Sequence, residues 1–335
     1  MCATVSYAAR MLCLWMVALT ATQLLCTAWL IPAKAQSPDR VYRLGHLAQS
    51  EEADRLSREF TLPELAQLGF AEGRNLHFSA RFGSTNALPN LAQELLAEKP
   101  DAIIAIGSAA TLAVRAATDR VPIVLFAFDP VRLGVADSFS RPAGNVTGIS
   151  NMVFELQVKR LELLLDVIPA TRRVAVLLRQ GSLTQEQSEQ ELRVSAGQVG
   201  VEVLFYFADG PSDYEAAFAA MRAARVQALV IGSDPRFFAD TALLAKHAHE
   251  ARLPTSCEWA NMARAGCLLG YGPSIAALRQ RLAHFVARIL RGASPAELAI
   301  EQPTAFELAL NLKTARALGL AISPTLLARA DEVIE

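Results

Sequence analysis

The chain has 335 residues, 52% hydrophobic and 19% charged, with a formal net charge of −1. This length and apolar content suffice for two cored domains. The near-zero charge excludes the basic excess with which a protein follows a phosphate backbone, so nucleic acid is not an expected partner.

The first 35 residues differ from the rest. Arg10 is the only charge before Lys34, and the run "MLCLWMVALTATQLLCTAWLIP" lies between them, ending near Ala33-Lys34-Ala35. A charged start, an apolar stretch and a small-x-small site predict a secretory signal peptide over 1–35, cleaved after Ala35, and a periplasmic protein. A retained anchor is the alternative, because the run approaches spanning length. Cys26 follows Leu24-Leu25 rather than the small residue that a lipoprotein signal wants. Loss of residues 1–35 removes Arg10 and Lys34 and takes the charge from −1 to −3. Cys257 and Cys267 remain, in an oxidising compartment, where a disulfide and two separate buried thiols are both open readings.

Taken in chain order, short apolar runs alternate with helical patterns. "VYRLGHL" (41–47) and "NLHFSARF" (75–82) read as strands, with a helix between them. Asn86 precedes a helix carrying Leu88, Leu91, Leu95 and Leu96. "DAIIAIG" and "VPIVLFAF" are continuous apolar runs, as central parallel strands are, and Ser108 to Thr118 reads as the helix between them. This is the pattern of a parallel sheet covered by helices. After the irregular stretch 128–150 the pattern restarts. Strands are predicted at "RVAVLL" (173–178), "VEVLFYF" (201–207) and "VQALVIG" (226–232). Thr184 with Gln187, and Ser212 with Glu215, have capping-box spacing for two of the intervening helices. Ile275, Leu278, Leu282, Phe285, Val286, Ile289 and Leu290 mark one face of a long helix ending before Gly292. Two α/β units of similar size result, and a cleft between two such units is a favoured ligand site.

No phosphate-binding glycine loop, nucleophile elbow or metal-binding helix motif is present, and no acid/base pair stands out. No cofactor and no metal is expected. Ligands in open α/β sheets sit beyond the carboxyl ends of the strands. Those positions here include Gln49-Ser50, Gly107-Ser108-Ala109, Phe128-Asp129-Pro130, Arg179 and Asp234. The free N–H groups that open the helix at Gly107-Ser108-Ala109 suit an anion. The same residues also make an ordinary strand-to-helix turn. Asp129 is the expected receiver of an ammonium group. Trp259 and Tyr271 offer flat apolar faces for a ligand or for core packing.

Three segments, "DPVRLGVADSFSRPAGNVTGIS", "LGYGPS" and "EQPTAFELALNLKTARALGLAISPTLLARADEVIE", resemble a bacterial family of extracytoplasmic substrate-binding proteins of ABC transporters. Some relatives are thought to bind tryptophan or other aromatic amino acids. The resemblance runs from about Val41 to the end of the chain. It implies a type I periplasmic-binding fold: two Rossmann-like parallel-sheet lobes joined by three crossovers, with the ligand cleft between them. Lobe I is expected over 36–147 with a return segment at about 272–310. Lobe II is expected over 148–271 with part of the C-terminal segment, and 311–335 is left open between the lobes. The resemblance puts hinges at Asn145, Val146, Thr147 and Gly148 and at Gly270 and Gly272, with a third crossover around 303–312. Cys257 and Cys267 stand where the family pattern has an aromatic residue and a glycine. The implied protein is a monomer that delivers a small organic carboxylate, an amino acid or similar, to an inner-membrane permease. A sensor that presents its loaded surface to a membrane receptor is the alternative. An enzyme on the same scaffold is disfavoured by the missing nucleophile–base set.

Overall fold

A computed structural model describes residues 40–335; the predicted signal peptide and its cleavage site lie outside the described residues. The first sheet is built from β1 (Tyr42–Ala48), β2 (Leu76–Phe82), β3 (Ala102–Ile106), β4 (Ile123–Ala127) and β5 (Val146–Ser150), in the order β2-β1-β3-β4-β5. All its pairings are parallel. Helix α1 follows β1 as Glu51–Leu56 and Leu62–Gln67, joined by a π-helical turn, Ser57–Thr61. α2 (Leu88–Ala97) and α3 (Ser108–Ala117) follow β2 and β3. One face of the sheet packs Ile103, Ala105, Ile123 and Leu125 against Leu88, Leu95, Ala110 and Val114 of α2 and α3. β3 and β4 are buried at every position but Phe126 because helices cover both faces, which is why their sequences run apolar without alternation.

The second sheet collects α4 (Val153–Val167), β6 (Arg173–Leu178), α5 (Gln185–Gln198), β7 (Glu202–Phe207), α6 (Pro211–Ala223), β8 (Ala228–Ile231), α7 (Pro235–Ala239), α8 (Thr241–Glu250), β9 (Thr255–Cys257), α9 (Ala260–Arg264) and β10 (Leu269–Pro273). The chain then forms α10 (Ile275–Leu290) and returns to β11 (Phe306–Asn311), α11 (Leu312–Leu318), α12 (Pro324–Arg329) and β12 (Glu332–Ile334). The sheet order is β12-β11-β10-β9-β8-β6-β7, with only β10 and β11 antiparallel. α10 packs on the first sheet, alongside α1. Its face of Leu282, Phe285, Val286 and Ile289 shares a core with Leu65, Ile104 and Val124.

Two α/β lobes joined by three crossings match the expected architecture; the second and third crossings fall at or beside the expected stretches, and the first lies a few residues later. The stretch 145–148, expected as the first hinge, enters and forms β5, buried throughout. Glu301 N donates to Gly148 O at 2.9 Å, and Ser150 N donates to Glu301 O at 2.9 Å, so the segment before the third crossing covers this edge strand. Asn145 Nδ2 donates to the carbonyls of Thr118 and Val121 at 3.2 and 2.8 Å. A Cβ on Gly148 would collide with the backbone of Leu125, and one on Gly270 with the carbonyl oxygen of Trp259. Gly272 meets Glu258 in the same way. These glycines serve close backbone approach inside sheets, a use that looks the same in sequence as hinge freedom. The chain leaves the first sheet at Asn151–Met152, where Met152 has φ 51°. It crosses again at Ser274 and between 301 and 306. Residues 148–150 therefore belong with the first lobe, and 306–334 with the second.

Both capping boxes fail. Thr184 stands at the N-cap of α5 but its side chain makes no capping bond, and Ser212 lies inside α6. Pro211 starts α6 one residue before Ser212, and the Asp213 carboxylate accepts from Asp209 N at 2.8 Å instead.

Candidate functional site

The carboxyl ends of the strands of both lobes face one cleft of about 640 Å³. One wall comes from the first lobe: Gln49 and Ser50 after β1, Gly107, Ser108 and Ala109 after β3, and Phe126 to Phe128 at the end of β4. α10 adds Leu278, Arg279 and Leu282 to this wall. Across the cleft stand Arg179 after β6, Ser233 and Asp234 after β8, and Glu258 and Trp259 after β9. At Gly107 an added Cβ would sit 4.0 Å from Pro235 Cγ of the other lobe and 3.4 Å from Gln49 Oε1. Gly107 has φ 94°, a value other residues adopt only with strain.

Of the residues predicted for the site, Asp129, Pro130 and Tyr271 do not line the cleft. Asp129 Oδ1 accepts from Val131 N and Arg132 N at 3.0 and 3.2 Å. Its carboxylate thus caps its own turn and is not the receiver of an ammonium group. Pro130 is buried in that same turn. Tyr271 stacks on Phe306 at 5.9 Å between ring centres, within the second lobe. Alternation along β10 turns its side chain away from the face that Gly270 and Gly272 present to residues 258–259.

Ser108 does open α3, and its Oγ accepts from Phe128 N at 3.3 Å. That bond leaves the hydroxyl hydrogen free to donate. Gln49 Nε2 donates to Thr85 Oγ1 at 3.0 Å. Arg179 is committed within its lobe: Nε donates to Asp234 Oδ2 at 2.7 Å, and Nη1 lies 3.5 Å from Asp209 Oδ1. Asp234 also caps α7 by accepting from Arg236 N at 2.9 Å.

Sequence reading missed Arg279, Glu258 and Phe126. Arg279 stands on the buried face of α10 between Leu278 and Leu282, a core position by the helical period, and is 6% exposed. A cation at such a position was the available signal. Burial lowers its pKa to about 10, so it is charged at neutral pH. Burial also holds the Glu258 carboxyl above the usual carboxylate range, against the opposing pull of Arg160. Phe126 and Trp259 face each other from the two lobes with ring centres 6.4 Å apart. Arg279 lies over the Phe126 ring, 5.9 Å from its centre.

Cys257 and Cys267 form a disulfide, with Cα atoms 6.4 Å apart and both side chains fully buried. It closes a ring that contains Glu258, Trp259 and α9, and so ties down one cleft wall. Among the described residues, no group of three or more His, Cys, Asp or Glu is placed to hold a metal ion. No helix among them is long and apolar enough to cross a membrane.

A curated tyrosine-binding protein of Clostridioides difficile (strain R20291) is 22% identical over 282 residues, covering 83% of this chain and 80% of the relative. A solved ABC domain in complex with L-Trp from Streptococcus pneumonia superposes with TM-score 0.80 at 20% identity, covering 88% of this chain and all of that one. A conserved domain protein of Vibrio cholerae gives TM-score 0.82 at 23% identity over the same shares. The fold is that of type I periplasmic binding proteins, such as a leucine-binding protein of Thermotoga maritima, matched with TM-score 0.54 at 15% identity over 70% of both chains. Residues 58–334 match the family described as ABC transporter substrate binding protein. The chain belongs to that family, a non-enzymatic binding component of ABC transporters.

Proposed function

We propose that this protein captures a free aromatic amino acid in the inter-lobe cleft and delivers it to the permease of an ABC importer. The observation that carries this reading is the division of the cleft. Its middle is apolar and aromatic, with Phe126 on one lobe and Trp259 on the other. Among the described residues, its one cation without an ion pair, Arg279, stands on the first lobe, and its carboxylates, Asp234 and Glu258, stand on the second, where Arg179 is paired to Asp234. An amino acid with a flat side chain meets that arrangement with its carboxylate toward the first lobe and its ammonium group toward the second. Gly107, Ser108 and Ala109 supply polar N–H and hydroxyl donors beside the carboxylate, aided by the positive end of α3. The relatives that bind tyrosine and L-Trp support the same ligand class.

Closure is a rotation of the lobes about Asn151–Met152, Ser274 and the 302–305 segment, which buries the ligand and shapes the surface the permease reads. The protein acts as a monomer in the periplasm, exported by residues 1–35 and cut after Ala35. The test is isothermal titration of the purified protein with L-tryptophan, L-tyrosine, L-phenylalanine, L-leucine and L-glutamate. The aromatic members are expected to bind. At a hundredfold excess over the dissociation constant each raises folding stability by about 2.7 kcal/mol. Binding of L-leucine or L-glutamate alone overturns the aromatic reading.

A further inference from the structure

Arg279 is a buried cation without an ion-pair partner, and the one carboxylate whose charge acts on it, Glu52, lies beyond pairing distance. Among the described residues no carboxylate lies within ion-pair distance of it, and its side chain makes one hydrogen bond, Nη1 to Ser57 Oγ at 3.3 Å. A guanidinium carries five N–H donors in a planar fork. Burying such a group without a partner opposes folding, so its position on the apolar face of α10 needs another explanation. The other charged groups lining the cleft are matched. Arg179 has Asp234 and Asp209, and Glu258 has the charge of Arg160 behind it.

The residues around Arg279 fix its orientation. The π-helical turn of α1 runs from Ser57 to Thr61, both fully buried, and each contacts Arg279. Thr61 Oγ1 donates to the Arg279 carbonyl at 3.1 Å, and Ser57 Oγ accepts from its guanidinium. Ser57 Oγ also lies 3.0 Å from His46 Nε2. Ser57 Oγ thus bridges the guanidinium and the imidazole, and His46 Nδ1 is buried with no partner in the protein. Burial and the charges of Arg279 and Arg58 lower the His46 pKa to about 3, so the ring stays neutral at neutral pH. The bonds link Arg279, Ser57 and His46 in one buried chain. They occupy Nη1 and leave the Nε–Nη2 edge, whose spacing matches the two oxygens of a carboxylate. π turns of this kind recur at functional sites.

We infer that Arg279 is the anion anchor of the cleft, binding the ligand carboxylate with its Nε–Nη2 edge, and that Ser57 and His46 are positioning residues for it. This rests on the cleft being the ligand site, but it does not depend on the ligand being aromatic.

The test is a titration panel in which carboxylate and side chain vary separately. The aromatic set is L-tryptophan, indole-3-propionate and tryptamine; the aliphatic set is L-leucine, 4-methylpentanoate and isoamylamine. Wild-type protein, Arg279→Gln and Ser57→Ala are compared, with circular dichroism and thermal melts as fold controls. In whichever set binds, the wild type prefers the carboxylate compounds over the matching amine by about 30- to 1,000-fold. Arg279→Gln loses that preference while keeping its fold. Ser57→Ala weakens the carboxylate compounds by about tenfold and leaves the amine unchanged, a split that a loss of structure alone does not produce. Amines that bind wild type as tightly as the carboxylates, an Arg279→Gln variant that keeps the preference, or a wild type that takes no carboxylate in the panel each overturns the anchor. If only aliphatic carboxylates bind, and do so through Arg279, the anchor stands and the aromatic reading falls.

Discussion

Two arginines are buried beside the cleft, one in each lobe, and they are treated in opposite ways. Arg160, on α4 of the second lobe, uses all three of its nitrogens within the fold: Nε donates to Tyr271 O at 2.8 Å, Nη1 to Ser233 Oγ at 2.9 Å and Nη2 to Glu258 O at 3.5 Å. It ties β10 to the ends of β8 and β9 and does not line the cleft. Arg279, in the first lobe, lines the cleft with a single bond to Ser57. The difference teaches how to separate a structural buried charge from a functional one. The first has its donors used inside the fold; the second keeps donors for something outside it.

The comparison breaks first at Arg160. Arg160→Leu strips the donor from two carbonyls and Ser233 and leaves Glu258 as a buried acid without its cation. A destabilisation of about 3–5 kcal/mol is expected, read as a lower urea midpoint at unchanged slope. A loss under about 1 kcal/mol in the same measurement would remove the structural role given to Arg160.

The disulfide sharpens the contrast, since it braces the wall that Arg160 supports. Replacing both Cys257 and Cys267 by Ser frees a short ring and costs about 2.7 kcal/mol on a chain-entropy account. Ligand affinity falls with it, because Glu258 and Trp259 lie inside the ring. Equal denaturation midpoints for oxidised and reduced protein would contradict this. Trp259 is the only tryptophan beyond residue 29, so in protein produced from residue 36 onward its fluorescence reports on that wall alone.

Acid probes the surroundings of Arg279. His46 has a folded pKa of about 3, below its ordinary value of 6.5. The unfolded chain therefore takes up this proton first, and the stability present above pH 6.5 is lost as pH falls toward 3. Between pH 6.5 and 5 the loss is about 2 kcal/mol. His46→Gln flattens that slope. Arg279→Gln reduces it in part, since the Arg279 charge is one cause of the shift. An unchanged slope in both variants would show that His46 does not stay neutral here.

The smallest expected effect on the fold belongs to Arg279 itself. Without ligand, Arg279→Gln should be as stable as wild type or more stable by about 1 kcal/mol, because it removes a buried charge that lacks a partner. Ser108→Glu, on the same wall, should likewise leave the melting temperature of the empty protein nearly unchanged while weakening an anionic ligand. If Ser108→Glu binds that ligand as wild type does, the carboxylate does not approach α3.

Much of this architecture was legible in the sequence, and the reasons are physical. Strands such as "AIIAI" and "IVLFA" are buried on both faces, and that burial writes an unbroken apolar run. Strand ends pointed to Gln49, Ser50, Gly107, Ser108, Ala109, Phe128, Arg179 and Asp234, all of which line the cleft, because the carboxyl ends of a parallel sheet share one edge. What failed depended on contacts between distant segments. Gly148, Gly270 and Gly272 read as hinge residues until the backbones that press on them were known. Asp129 looked available until its own turn claimed the carboxylate. "FELALNL" alternates Phe306, Leu308, Leu310 and Leu312 with Glu307, Ala309 and Asn311, a strand period that marks β11 and that the sequence reading left unassigned. Arg279 could have been found, since it interrupts a face that the helical period assigns to the core.

The most direct test of the account is a crystal structure of the protein grown with L-tryptophan. The account predicts the indole between Phe126 and Trp259, the carboxylate on the Nε–Nη2 edge of Arg279, and the ammonium group toward Asp234 and Glu258. Ligand density outside the cleft, or a carboxylate turned to the second lobe with Arg279 uncontacted, would contradict it.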